Sequence, residues 1–557
     1  MLRHPISVYN NWSAYDELGD NVELTEALAT KQLSELLRLR AAGVRFDGYL
    51  MDAFWYDPEG AYRSWRKPHW PQGPDRWLDA CLDNDLKPGL WFSGNTLCKL
   101  KAAPEWQDSL DAYGRAMCLF HGGFLPHWLE TMRFWYERGV RMFKLDFFNF
   151  TAAPAVVRKW FLPSEIYAQN IAALRKGLRG LREQCPDVVL LGYNGFEEAG
   201  VMSNTDLPFR KDIDTRWLEV FDSMYCGDPR PSDVPAMNFW RSMDVYSDHM
   251  VRVFEWNGFP LARIDNTGFM IGTTGTCYVR KTAAWKGMLI LSLARGGWMN
   301  VYYGNLDLLD AEQAAWFANV QALFFRLQTY GRFATWGGIP GEGRPYGYLA
   351  EDADGALLTV VNPAQAEEVI CLPLKAEGRI IFHDGGYGPT LGHGQITLGA
   401  EQMAVVGIGR YRASSFDMGR QQDVRIPSTI RSLAGEFRST GKKEIVTNIN
   451  PPKAGHVRVV LRQRDQDNRA KRSGCGAYPL RATLARLLII EVEQEKRTVD
   501  VMIHYDKDIW SGLSWAVGEF RADTLARGAP VSIRCSTKET ADVTLTAQIY
   551  QTTYADE

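Results

Sequence analysis

Cysteine is scarce and unpatterned in this chain. Nine occur in 557 residues, an odd number, and no two stand as Cys-x-x-Cys. That argues against both a disulfide framework and a structural zinc site. Histidine is equally sparse, nine residues with none at His-x-His spacing, so a histidine-built metal hydrolase is disfavoured and no metal or cofactor is expected. No stretch of about 18 apolar residues occurs, so no membrane span is expected. Net charge is only −3, too small to argue for nucleic acid or an anionic membrane as partner. Met1-Leu2-Arg3-His4-Pro5 leads straight into an apolar run without the charged and apolar regions of a secretory leader. A cytoplasmic protein is therefore the expectation. Internal repeats and low-complexity tracts are lacking as well.

Aromatics, by contrast, are plentiful: 12% of residues, including 19 Trp and 23 Tyr. Many belong in a large core. The rest suit a carbohydrate site, where ring faces stack on sugar C–H groups and Trp or Tyr tips hydrogen-bond.

The length predicts two to four domains. From residue 1 to about 335, short apolar strands alternate with helical runs. Ile6–Asn10, Gly48–Phe54, Pro88–Phe92, Met142–Phe147, Val188–Asn194, Phe221–Gly227, Leu261–Asp265 and Met299–Tyr303 read as eight strands. Helices such as Leu24–Ala42, Ile166–Glu183, Phe239–Trp256 and Ala311–Leu327 return the chain between them. This is the α/β pattern of a (β/α)8 TIM barrel. Beyond it, short strands with Gly, Asp and Pro turns predict an antiparallel β domain over 336–412. Residues 413–429 read as a linker, and 430–557 as a β-sandwich-like accessory domain. Arg458–Arg472 reads as a solvated basic loop.

Catalytic side chains of such barrels sit at the C-terminal ends of strands. In Met142-Phe-Lys-Leu-Asp146, alternation turns Lys144 and Asp146 into the barrel mouth and Phe143 and Leu145 toward the helices. A cation beside Asp146 favours the ionised carboxylate that a nucleophile needs. A retaining glycosidase requires a second, initially protonated carboxyl group about 5–5.5 Å away. In Ser223-Met-Tyr-Cys-Gly-Asp228, Met224 and Cys226 share parity with Asp228, which predicts Asp228 at the mouth as acid/base. Asp233 is the reserve. Asp52 ends the second strand, Trp12 follows the first, Asn194 closes the fifth and Asp265 the seventh. With Lys144, Trp55 and Arg230 they form the expected substrate-binding set for a hydroxyl-rich glycoside or oligosaccharide.

These motifs resemble the α-galactosidase and α-N-acetylgalactosaminidase barrels of glycoside hydrolase clan D, families 27 and 36. Tyr9–Trp12 is similar to their first strand and Trp-containing segment. Asp52-Ala-Phe-Trp55 is similar to their Asp-Asp-x-Trp, Lys144-Leu-Asp146 to their Lys-x-Asp nucleophile motif, and Ile264-Asp265-Asn266 loosely to their seventh strand. The resemblance covers about residues 5–410. It implies Asp146 as nucleophile, Asp228 as acid/base, and an antiparallel β domain behind the barrel. Ala53 replaces the family's second Asp, and Met224 stands where an Arg is usual, with Arg230 on the other side of Asp228. The sugar is thus left open. The expected activity is hydrolysis of terminal α-linked pyranosides through a covalent glycosyl-enzyme. Transglycosylation on the same carboxylates and a non-catalytic sugar-binding protein are the alternatives, and a homo-oligomer is not excluded.

Overall fold

The computed structural model describes residues 1–12, 24–53, 55–196, 213–227, 229–273, 280–441, 443–472, 487–504 and 513–555. Eight parallel strands close into a barrel: β1 (Ile6–Asn10), β2 (Gly48–Met51), β3 (Lys87–Ser93), β4 (Met142–Asp146), β5 (Val189–Gly192), β6 (Ser223–Tyr225), β7 (Ile264–Ile271) and β8 (Met299–Gly304). Closure is made by β8 against β1, from Ile6 opposite Met299 to Asn10 opposite Tyr303. Helices α1 (Glu26–Ala41), α2 (Asp75–Asp83), α3 (Phe124–Glu137), α4 (Ala155–Arg158), α5 (Pro163–Gln184), α6 (Phe239–Trp256), α7 (Trp285–Ala294) and α8 (Ala311–Tyr330) surround it. Between β5 and β6 the described residues hold one 3-10 turn, Thr215–Glu219.

Local chemistry sets the element ends. Thr25 caps α1 by accepting the Leu28 N–H at 3.1 Å. Asp310 and Gln313 cap α8 reciprocally, each side chain taking the other's backbone N–H, which satisfies donors a helix start leaves open. Along α1, Ala29, Leu33, Leu36 and Leu39 are buried at helical spacing. Inside the barrel, Val8, Leu50, Met142, Val189, Leu191 and Val301 fill the lower layers, so the barrel is a packed core with a polar mouth.

The strand reading of β6 needs correction. Tyr225, not Met224 or Cys226, belongs to the interior cluster, where it stacks on Tyr193 with ring centroids 4.4 Å apart. Met224 and Cys226 pack outward with the helices. Two apolar residues flanking an aromatic fit either parity, because a fully buried strand is apolar on both faces.

Behind the barrel, six strands form a sheet that runs from Arg332–Gly337 through Tyr346–Asp352, Gly355–Val361, Met403–Gly409 and Gly378–Asp384 to Gly419–Gln421. A three-stranded sheet packs on it through Leu358, Val360, Ile370, Ile396 and Val406. The last strand of the larger sheet lies in the segment read as a linker; it pairs in parallel with Phe382–Asp384. Thr429–Ser432 opens the final body, two five-stranded sheets facing each other across Val457, Val459, Leu461, Val492 and Ile533.

The three bodies are tied by buried polar groups. Arg458, read as part of a solvated loop, is fully buried in the strand His456–Arg464. It donates to Gln365 at 2.7 Å and lies 3.6 Å from Glu401, whose carboxylate takes the N–H groups of Met237 and Asn238 ahead of α6. Trp515 donates its indole N–H to the Ser232 carbonyl at 3.0 Å. Helix α6 is buried nearly all round for this reason.

Candidate active site

Asp146 ends β4 and is 6% exposed. Its two oxygens are treated differently. Oδ1 accepts three N–H groups: Phe147 N at 2.9 Å, Asn194 N at 3.1 Å and Asn194 Nδ2 at 2.9 Å. Oδ2 accepts one, from the indole of Trp91 at 3.1 Å. The carboxylate is thereby fixed in orientation with a lone pair of Oδ2 uncommitted.

The backbone around it is shaped to do this. Phe147 has φ +55°, a left-handed conformation that costs a non-glycine residue energy and persists only where its surroundings hold it. Gly195 has φ +103°, and a Cβ there would stand 2.3 Å from the Phe148 carbonyl oxygen. The glycine lets the segment after β5 close onto the segment after β4, with Phe148 N donating to Asn194 O at 3.1 Å. Asn194 is thus delivered to Asp146.

Lys144, two residues earlier, faces the same way. Its ammonium donates to Asp52 Oδ2 at 2.7 Å and sits 4.3 Å from the Tyr193 ring centroid. Both members of this ion pair are buried, with side chains 6% and 2% exposed. Asp52 Oδ1 takes the Ala53 N–H, and Asn11 accepts the Asp52 N–H. Burial pushes the Asp146 carboxyl above its ordinary range. Lys144, Trp91 and Asn194 pull in the opposite direction without cancelling it. Lys144 alone therefore does not set the charge of Asp146, as the sequence had implied.

Trp12 lies half-buried after β1, packed against the interior cluster. Arg230 is half-buried in the loop beyond β6. Asp228 lies outside the described residues.

Three expected site residues have other surroundings. Trp55 is fully buried among Tyr56, Trp65, Phe92 and Trp135, and its indole N–H is spent on the Trp91 carbonyl at 2.8 Å. It supports Trp91 and offers no face to a sugar. Asp233 is bound by Ser514 at 3.0 Å and Arg472 at 3.1 Å, both from the last body. It serves as an interdomain clamp because a buried carboxylate needs such partners. Asp265 is the second residue of β7, which runs on to Ile271, and it is fully buried. The strand continues past the point where sequence placed its end. Asp265 accepts the Tyr193 hydroxyl at 2.6 Å, while its Oδ1 has no hydrogen-bond partner among the described residues. Burial raises its pKa to about 7.

Two contributors escaped the sequence reading, Trp91 and Tyr193. Both were findable by alternation. Trp91 is opposite Lys144 in the β3–β4 register, and Tyr193 continues the inward series Val189, Leu191. Among the described residues no group of three His, Cys, Asp or Glu side chains is placed to hold a metal ion, and no helix is long and apolar enough to cross a membrane.

No family model matches this chain, and no curated protein matches it in sequence. Solved structures do match. The galactosidase domain of the α-galactosidase-sucrose kinase AgaSK aligns with TM-score 0.50 and 13% identity over 73% of this chain and 55% of that one. The GH36 α-galactosidase AgaA of Geobacillus stearothermophilus aligns with TM-score 0.48 and 13% identity, over 73% and 56% of the two chains. An α-galactosidase from Lactobacillus brevis aligns with TM-score 0.49 and 11% identity, over 73% and 55%. This chain thus spans little more than half the length of these proteins. At such identity the AgaSK match shows the fold alone: a (β/α)8 barrel followed by antiparallel β structure, shared with that domain.

Proposed function

We propose that this chain is a retaining α-glycosidase that hydrolyses terminal α-linked pyranosides. The observation that carries the reading is the asymmetric anchoring of Asp146, three N–H groups on Oδ1 and a single indole on Oδ2. A carboxylate held by one oxygen with the other aimed from a strand end is built to attack a carbon. In the first step Oδ2 forms a bond to the anomeric carbon as the glycosidic C–O bond breaks. The departing oxygen takes a proton from Asp228. In the second step Asp228 takes a proton from water, whose oxygen bonds to the anomeric carbon and releases Asp146. Lys144 and Asp52 hold sugar hydroxyls: the ammonium has spare donors beyond its Asp52 contact, and the half-exposed Trp12 supplies a stacking face. The likeness to the α-galactosidase fold supports the barrel as scaffold for this chemistry.

The test is covalent trapping. A 5-fluoro glycosyl fluoride series covering galactose, glucose and N-acetylgalactosamine is expected to label Asp146, located by peptide mass spectrometry. Binding without any adduct across the series would leave a sugar-binding protein instead. Asp228→Ala is expected to lose activity on natural glycosides and to regain it with azide on an activated aryl glycoside, with a glycosyl azide as product. Absence of that product removes Asp228 from the acid/base role.

A further inference from the structure

Where the barrel meets both later β bodies there is a cavity of about 300 Å³, at the lower end of the volumes that hold small ligands. All three bodies line it. Asn238, Trp240, Arg241 and Asp244 come from the start of α6, Asp423 from the segment leaving the six-stranded sheet, and His504 from the final body. None of these residues takes part in the chemistry at Asp146.

Several polar groups in the wall are left open. The Nε2 of His504 is buried without a hydrogen-bond partner among the described residues. Burial also lowers the pKa of that ring, so it stands neutral, with one N–H and one acceptor. Asp423 is oriented by the Ala284 N–H, which donates to its Oδ2 at 3.0 Å; its other oxygen has no donor among the described residues. Asn238 spends a side-chain amide N–H on the Arg425 carbonyl at 3.0 Å, and its side-chain Oδ1 has no donor among the described residues. Trp240 is half-exposed, with the Arg280 guanidinium 5.4 Å from its ring centroid.

The charges in the wall select the ligand. Arg241 is committed to Asp244 and Asp384, and Arg280 to Asp244 at 2.9 Å. Of the charged side chains that line the cavity, Asp423 is the one without an ion-pair partner among the described residues, so an anion meets repulsion there. A metal ion finds too few ligands, since no group of three metal-binding side chains exists among the described residues. What fits is a neutral molecule with several hydroxyl groups and an apolar face for Trp240. We propose that this cavity binds one ring of a neutral sugar and so makes the accessory domain a second carbohydrate site. The proposal does not depend on the chemistry assigned to Asp146.

The test is isothermal titration of the full chain carrying Asp146→Asn with galactose, glucose and N-acetylgalactosamine, and with sodium phosphate as the anionic control. At least one sugar is expected to show a binding event that survives Lys144→Met and that Asp423→Ala and His504→Phe each weaken by about tenfold or more. Turnover by the parent chain with either cavity substitution is expected to stay unchanged. The two substitutions act on different bodies, so loss of fold in one leaves the other informative. No sugar binding sensitive to either substitution overturns the proposal, and so does phosphate binding lost in the same variants. If the chain proves catalytically inert yet the substitution-sensitive event persists, the cavity stands and the glycosidase reading falls.

Discussion

Two buried charged clusters in this molecule look alike on a residue list and differ in what they leave over. At the barrel mouth, Asp146 spends one oxygen on three donors and the other on a single indole at 3.1 Å, while Lys144 makes one carboxylate contact. Where α6 and α7 meet the six-stranded sheet, Asp248 is fully buried and bound from two separate elements. Its Oδ1 takes Arg295 at 2.8 Å and Tyr348 at 2.9 Å, and its Oδ2 takes Tyr346 at 2.6 Å. A carboxylate sealed in the interior among donors from several elements holds parts together. A cluster with oriented but uncommitted atoms is prepared for something that is not yet there.

The sharpest way to break this contrast is to remove a charge from each cluster in turn. Asp146→Asn keeps size and one acceptor, so the fold and its thermal midpoint are expected to stand. The uncharged amide cannot bond to the anomeric carbon, and kcat is expected to fall by about four orders of magnitude or more. Steady-state rates beside circular-dichroism melts check both halves; rates near the parent's would remove Asp146 from the chemistry. Asp248→Ala is expected to do the reverse. It takes the carboxylate away from Arg295 and two tyrosine hydroxyls in the interior, at a cost of roughly 3–5 kcal/mol. Turnover per folded molecule is expected to hold, as read by denaturant titration and active-site counting. A variant of unchanged stability would show that the cluster is not the tie described.

A smaller effect refines the mouth. Asn194→Ala removes one of the three donors on Oδ1 while the backbone N–H at 3.1 Å stays. Hydrogen bonds to charged groups contribute about 1.5–3 kcal/mol, so kcat/KM is expected to fall by about 10- to 100-fold. Equal kinetics would mean that the two backbone donors suffice for orientation.

Much of the barrel was legible in the sequence because its strands are short apolar runs between periodic helices. Helix α6 matches Phe239–Trp256 at both ends, and β1 matches Ile6–Asn10. The inward turn of Lys144 was legible from alternation, since phenylalanine and leucine on the other face left only one arrangement. Alternation failed on β6, where Met224, Tyr225 and Cys226 are all apolar enough for either side. The strand-end placement failed for Asp265, because β7 runs on past it through an irregularity between Asn266 and Phe269. The pairing of Asp233 with Arg472 was beyond reach: 239 positions of chain separate them, and no local pattern records a contact between bodies. Trp55 misled for a related reason, as motif likeness gives a residue's place in the chain and not which neighbour occupies its face.

Asp265 sharpens the comparison in a third way, being neither closed like Asp248 nor aimed at the mouth like Asp146. Its Oδ1 is buried without a partner among the described residues, and its pKa is raised from the ordinary 3.8 to about 7 because burial penalises the charge, although Tyr193 and Lys144 partly oppose that. In the unfolded chain the carboxyl ionises near its ordinary value, whereas the folded barrel keeps the proton until near neutrality. The folded state therefore binds the extra proton between those limits, and stability falls as pH rises through them. This contribution is complete below about pH 4, declines toward about pH 7 and is flat above. Asp265→Asn removes the titration while keeping an acceptor for the Tyr193 hydroxyl. The difference in unfolding free energy between parent and variant, followed by urea titration from pH 4 to pH 8, is expected to change monotonically in favour of the variant and to level near neutrality. A difference independent of pH would mean that the carboxyl is ionised throughout, and that Lys144, through the Tyr193 ring it touches, shields it more than burial penalises it.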